Sequence, residues 1–242
     1  MTGGLDPGVF VLVFLAVLAG STVQAVVGLG VGLVAAPVVT LLAPQLMPGV
    51  LLSIALVLPV MTLVEERRDI DWFGLSWSLP PRVLGTGVGV WVVATFSADQ
   101  LGVFIGTIVL LAVLLTWHAV TVPVNRGTLG TAGFVSGVTG TATSIGGPPF
   151  ALLYQHRPPR EIRSTMAVFF VVGATISLVA LGISGELHRH QVAVGVLLLP
   201  AVLLGVLLGR PLRRLLPADR VRGAVLVVSG ASALVLVVRS LI

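Results

Sequence analysis

The chain has 242 residues, 56% hydrophobic and 10% charged, with a mean hydropathy of +1.11. A soluble domain carries about a quarter of its residues as charged side chains, so this composition excludes a soluble enzyme or globular binding module and no stretch is hydrophilic enough for a separate soluble domain. The formal charge of +5 and the pI near 11.4 come from arginines in short loops, where membrane topology puts them; no nucleic-acid partner is expected.

The absence of cysteine removes disulfides, thiolate metal sites and a cysteine nucleophile from consideration. No metal or cofactor is expected. Residues 9–19 resemble a signal-peptide core with Val23-Gln24-Ala25 as a loose cleavage site, but no basic residue precedes them. They read as part of the mature protein.

Residues 8–43 form an apolar run of 36 residues. As one helix it would extend ~54 Å, against a hydrocarbon core ~30 Å thick. Gly28, Gly30 and Gly32 lie near its middle, so a helix in, a turn at GLGVG and a helix back out fit better than one span. A span over 48–64, a charged loop over 65–71 and an interfacial amphipathic stretch over 70–79 with Trp72 and Trp77 are expected next. Spans over 82–97 and 100–118 complete the first half. The second half repeats the plan with a broken segment over 128–156, a basic loop over 156–163, and spans over 164–184, 191–209 and 222–240. Within it, GFVSGVTGTATSIGGPPFALLY (133–154) aligns with GSTVQAVVGLGVGLVAAPVVTLL (20–42), and Pro149 meets Pro37 within a residue of register. Paired Gly/Pro-interrupted segments in two halves are the best sequence pointer to a transporter's binding site.

Arginine placement sets orientation. Arg67, Arg68 and Arg82 flank one loop, Arg157, Arg160 and Arg163 occupy another, and Arg210, Arg213, Arg214, Arg220 and Arg222 a third. If each broken segment returns to its own side, all these loops and Arg126 face the cytoplasm, and only Arg189 and Arg239 lie outside. Equivalent loops of the two halves alternate in charge, so the halves are expected to be inverted. The expected fold is an all-α polytopic membrane protein of two inverted repeats, residues 1–119 and 120–242, each a Gly/Pro-broken hairpin plus three transmembrane helices.

Several residues carry a likeness to a known family: Gly20, Gln24, Gly28, Gly30, Gly32 and Pro37 in the first hairpin, and Gly133-x-x-x-Gly137-x-x-Gly140 with Gly146-Gly147-Pro148-Pro149 in the second. On these the chain resembles the sulfite exporter family of the TauE/SafE type, also called the sulfonate uptake permease family, over essentially its whole length. Where family members often carry a further glycine around 31–36, this chain has Val31, Leu33 and Val34. The resemblance implies a multi-pass transporter of the cell's inner (plasma) membrane for sulfur-containing anions such as sulfite, thiosulfate or small organosulfonates, and leaves the direction open.

The residues favour an anion independently. No ionisable group is expected in the middle of any span, whereas a cation site or proton relay needs an intramembrane carboxylate. A small anion is held instead by backbone N–H groups and positive half-helix ends, here those starting near Leu33 and near Pro148, where a proline in the first turn costs little. Hydroxyls of Ser21, Thr22, Ser136, Thr139, Thr141, Thr143 and Ser144 and the Gln24 amide can donate to it. With the turn residues Gly28, Gly30, Gly32, Gly140, Gly146, Gly147 and Pro148, they make up the candidate substrate-binding set.

Competing readings are the glycines as close-packing residues, the hydroxyls bonded back to their own helices and a non-transporting scaffold. Gly102-x-x-x-Gly106 and Gly205-x-x-x-Gly209 read as packing, within one chain or between two copies in a homodimer. The four histidines read as interfacial. An intramembrane protease lacks its Ser–His or His–Glu set at depth, so no enzymatic role is expected. An inside-negative potential favours anion exit by ~2.3 kcal/mol per charge per 100 mV. Export through alternating access around a midplane site is the expected function; ion-coupled uptake of another oxyanion or a carboxylate is the alternative.

Overall fold

The computed structural model describes residues 5–27, 31–117, 122–215 and 218–241. Helices are the only regular structure among them, as lipid requires of an open-ended chain whose backbone polar groups must bond internally. They run α1 (Pro7–Val27), α2 (Val31–Leu42), α3 (Gly49–Ile54), α4 (Val57–Glu65), α5 (Trp72–Thr95) and α6 (Ala98–Trp117) in the first half. The second half has α7 (Arg126–Thr143), α8 (Gly147–Tyr154), α9 (Pro159–Ser184), α10 (Arg189–Leu197), α11 (Leu199–Leu215) and α12 (Ala218–Leu241). Four stretches are long and apolar enough to cross a membrane by length and composition, Pro7–Val26, Ala98–Leu115, Pro159–Ser184 and Arg189–Leu212. Leu12, Leu114, Leu207 and Val235 are exposed, as lipid-facing side chains should be. The chain is an all-α, multi-pass membrane protein.

Two expected spans differ in detail. The span over 48–64 is broken into α3 and α4; Pro59 has no N–H for the Ala55 carbonyl, and its ring crowds that turn. Conversely, the amphipathic stretch over 70–79 and the span over 82–97 are one helix, α5, with Pro80 and Pro81 inside it. Asp71 caps α5, its Oδ1 accepting from the Gly74 N–H at 2.8 Å.

Both broken segments return to the end where they begin. At α7, Arg126 lies 4.7 Å from the centroid of Trp77 in the first turns of α5. At the exit of α8, Tyr154 donates to Asp71 Oδ2 at 2.8 Å. Entry and exit therefore meet at the same end of α5. The first segment behaves likewise at the opposite end. α1 runs alongside α11 in the same direction, Ser21 against Gly205 and Ala25 against Gly209. The chain leaving α2 is held to the start of α10 by Gln191 Nε2, which donates to the carbonyls of Gln45 at 3.0 Å and Met47 at 3.2 Å.

Each hairpin packs mainly on a helix of the other half, α1 on α11 and α7 on α5. Small residues make the approach possible. A Cβ on Gly205 would lie 2.6 Å from that of Ser21 and 2.8 Å from the Leu18 carbonyl, and one on Gly89 would lie 2.7 Å from that of Thr141 and 2.8 Å from the Val138 carbonyl. Gly106 meets Val237 and the Ala233 carbonyl of α12. Both GxxxG pairs singled out in the sequence thus serve contacts within the chain.

Candidate functional site

The end of the molecule richest in charge is tied together by ion pairs between elements. Arg163 of α9 donates through Nε and Nη2 to the two Glu66 carboxylate oxygens, each at 2.9 Å, and Arg210 of α11 reaches Glu65 at 2.7 Å. These four residues border a cavity of about 530 Å³, within the ~300–1,000 Å³ usual for ligand sites. At its inner limit lie Gln24, Leu33, Pro59, Pro148 and Phe170, which also line a second, smaller space of about 70 Å³. That inner space holds several times the ~10–15 Å³ one water needs, enough for a few waters or one small polyatomic ion.

Around the inner space the hairpin ends converge. α7 stops at Ser144, left-handed at φ 62°, and Gly146 leads into α8. The Ser144 carbonyl approaches Gly32 of α2 so closely that a Cβ there would lie 2.9 Å away, and Ser144 Oγ donates to the Pro48 carbonyl at 3.0 Å. The start of α2 is capped across the break, the Val31 N–H donating to Gln24 Oε1 at 3.1 Å. At the start of α8, Pro148 and Pro149 bring no N–H, so of the orphan donors of a helix start only those of Gly146 and Gly147 remain. No side chain among the described residues caps them.

The sequence-predicted set divides on this geometry. Gln24, Gly32, Gly140, Ser144, Gly146, Gly147 and Pro148 surround the inner space. Ser21 and Thr22 pack along α11 instead. Thr22, Thr139 and Thr143 donate to the carbonyls of Leu18, Val135 and Thr139 in their own helices, and Thr141 pairs with Ser177 of α9 at 2.8 Å. Ser136 is buried, with no partner for its hydroxyl among the described residues. Gly28 and Gly30 lie outside the described residues.

One expectation is overturned. Arg82, placed by sequence in a loop flank, sits eleven residues beyond Asp71 in α5 and is 2% exposed. It lines the inner space, about 16 Å along the helix from Asp71 at 1.5 Å per residue. An ionisable side chain therefore does stand in the buried interior of a long helix, inside the stretch expected as a span. Its guanidinium carbon lies 4.4 Å from the Phe169 centroid. Phe169 stacks on Phe150 of α8 at 3.9 Å and 6°, which couples the guanidinium to the first turn of the second half-helix. Gly173 of α9 leaves the room it occupies, since any Cβ there would overlap the guanidinium. A Cβ on Gly140 would come within 3.3 Å of Nη2, and one on Gly146 within 3.5 Å of Nη1. Nε and Nη1 have no hydrogen-bond partner among the described residues, and no carboxylate there pairs with Arg82.

Dividing this helix into an amphipathic stretch over 70–79 and a span over 82–97 hid the residue, because it put Arg82 at a span's end. A signal was present nonetheless: Ser78, Arg82, Gly85 and Gly89 recur at spacings of four, three and four, one face of a continuous helix. Against α7 that face is what the structure buries.

Comparison with known proteins agrees with this architecture. The family model "Sulfite exporter TauE/SafE" matches residues 12–236. The chain is also similar to a protein of Comamonas testosteroni described as "Probable inner membrane transporter protein TsaS", at 27% identity over 183 residues covering 69% of this chain and 72% of that protein. No solved structure matches the chain. With nearly the whole chain matched by one family model, the protein belongs to the TauE/SafE sulfite exporter family of membrane transporters.

Proposed function

We propose that the protein exports small sulfur-containing anions (sulfite, thiosulfate or small organosulfonates) across the cell's inner membrane, by alternating access around the space between the two hairpin ends. The observation that carries this reading is the convergence of those ends on one small space of about 70 Å³, continuous with the larger cavity at the arginine-rich end. By the positive-inside rule that end is cytoplasmic, so the larger cavity is an inward-facing vestibule through which an anion reaches the site. Residues 1–119 and 120–242 act as two inverted repeats, a reading supported by the opposite directions of α1 and α7 and by the reciprocal packing of each hairpin on the other half. Rocking of the halves would close the vestibule and open the site outward.

No coupling ion is needed, because the inside-negative potential already drives an anion out, and no chemical step is catalysed. The test is flux in liposomes holding the purified protein, under an imposed potential and without sodium or a pH gradient. Sulfite, thiosulfate, a two-carbon sulfonate and acetate are compared. Voltage-dependent movement of a sulfur anion is expected. Movement of acetate alone, or none until sodium or protons are supplied, would overturn the reading and favour coupled uptake.

A further inference from the structure

We infer that Arg82 binds the anion directly, and that the site it makes is built for a small oxyanion of single charge. A guanidinium at this depth without a counter-ion is among the costliest groups a membrane protein can hold. Arginine cannot shed its proton to escape that cost. Yet the chain spends three glycines, Gly140, Gly146 and Gly173, on making room for it, and one aromatic face, Phe169, on fixing its plane. Arg82, whose Nε and Nη1 have no hydrogen-bond partner among the described residues, lines the same space as Gly146 and Gly147, whose N–H groups no side chain among those residues caps. Charged and backbone donors therefore converge from α5 and from the start of α8, the combination that recognises an oxyanion.

Charge balance sets the class. No carboxylate among the described residues lines the inner space, so a monoanion brings the buried charge to zero, while a dianion would leave one negative charge uncompensated at the same depth. The small volume limits the rest of the molecule to a few atoms. Hydrogensulfite or a short alkanesulfonate fits; thiosulfate, with two charges, is disfavoured. That the bound anion is also the transported one rests on the function proposed above; the binding itself does not.

Equilibrium binding to the full-length protein in nanodiscs tests this, with methanesulfonate, thiosulfate and the neutral dimethyl sulfone as probes, together with thermal unfolding in the presence and absence of each. Methanesulfonate should bind and raise the unfolding temperature, with thiosulfate weaker and dimethyl sulfone without effect. Arg82→Gln should weaken methanesulfonate binding roughly tenfold to a hundredfold, the worth of one hydrogen bond to a charged group, with Arg82→Lys in between. Without ligand, Arg82→Gln should be at least as stable as wild type, because it removes an uncompensated charge. Gly173→Ala, which displaces the guanidinium, should weaken binding while Arg82 is still present.

Unchanged methanesulfonate affinity in folded Arg82→Gln would overturn the proposal, as would failure of both Arg82→Gln and Arg82→Lys to fold, which would make the arginine structural. Equal binding of dimethyl sulfone would remove the charge recognition, and tighter binding of thiosulfate the single-charge class. Liposome flux separates this from the transport reading. Arg82-dependent binding in a protein that moves no sulfur anion sinks transport and leaves the site; undiminished flux through Arg82→Gln does the reverse.

Discussion

On α5, Gly85 and Gly89 lie against the second hairpin, from Phe134 to Thr141; on α11, Gly205 and Gly209 lie against the first, from Leu18 to Ala25. Both partner helices carry the same G-x-x-x-G spacing, and both run in the direction of the hairpin arm they receive. Three residues before the first glycine, however, α5 has Arg82 and α11 has Val202, which is 1% exposed. The packing plan is doubled and the charge is not. Arg82 lines the inner space, whereas Val202 is packed in the apolar core.

The hairpin ends differ in the same sense. At the first, Gln24 Oε1 takes up the Val31 N–H, so the start of α2 is capped by the chain itself. At the second, the double proline removes two donors and no side chain among the described residues caps those of Gly146 and Gly147. The first end is closed by protein, and the second is where the anion proposed above would bond.

Substitutions that break the shared part of the plan should have the largest effect. Gly137→Leu forces a side chain onto the Arg82 carbonyl and the Thr86 N–H, and Gly205→Leu does the same to α1 and α11. Each should lose at least the ~1–3 kcal/mol typical of overpacking, read as a fall in unfolding temperature in detergent, and the two losses should be similar. Substitutions at the unshared position should then separate the hairpins. Arg82→Gln should cut sulfur-anion flux roughly tenfold or more, whereas Val202→Ala should leave anion selectivity as it is, measured as relative flux of methanesulfonate and acetate.

Smaller effects sharpen the contrast. Gln24→Ala should cost about 1 kcal/mol, the value of a lost helix cap, visible as reduced stability of the first hairpin to proteolysis or hydrogen exchange. Glu66→Gln removes a pair that is 36–41% exposed. It should therefore shift stability by only ~0.2–1 kcal/mol, an effect that disappears at high salt.

The sequence made the hairpins legible because glycine and proline interrupt apolar runs there for a backbone reason that needs no tertiary information. Element order and the packing role of Gly102, Gly106, Gly205 and Gly209 were readable on the same basis. The roles of the hydroxyls were not: whether Thr139 or Thr143 donates to a ligand or back to its own helix depends on which way each side chain turns, and their spacing is silent on that. Arg82 was obscured by dividing one helix into a stretch over 70–79 and a span over 82–97. Prolines at 80 and 81 argue for a helix start, yet α5 continues through them, and close packing of its other turns on α7 outweighs the hydrogen bonds lost there. The clue lay in the face shared with Gly85 and Gly89, a tertiary signal carried by spacing.

The location of the anion is the central claim, and the chain's lack of cysteine gives a direct way to measure it. A Ser144→Cys variant would carry one thiol, at the lip of the inner space, whose rate of modification by a small thiol reagent can be followed in nanodiscs with and without methanesulfonate. Slower modification in saturating methanesulfonate, lost when Arg82→Gln is added, is the predicted result. A rate indifferent to methanesulfonate, in a protein whose sulfur-anion flux methanesulfonate still inhibits, would place the anion elsewhere and contradict the account.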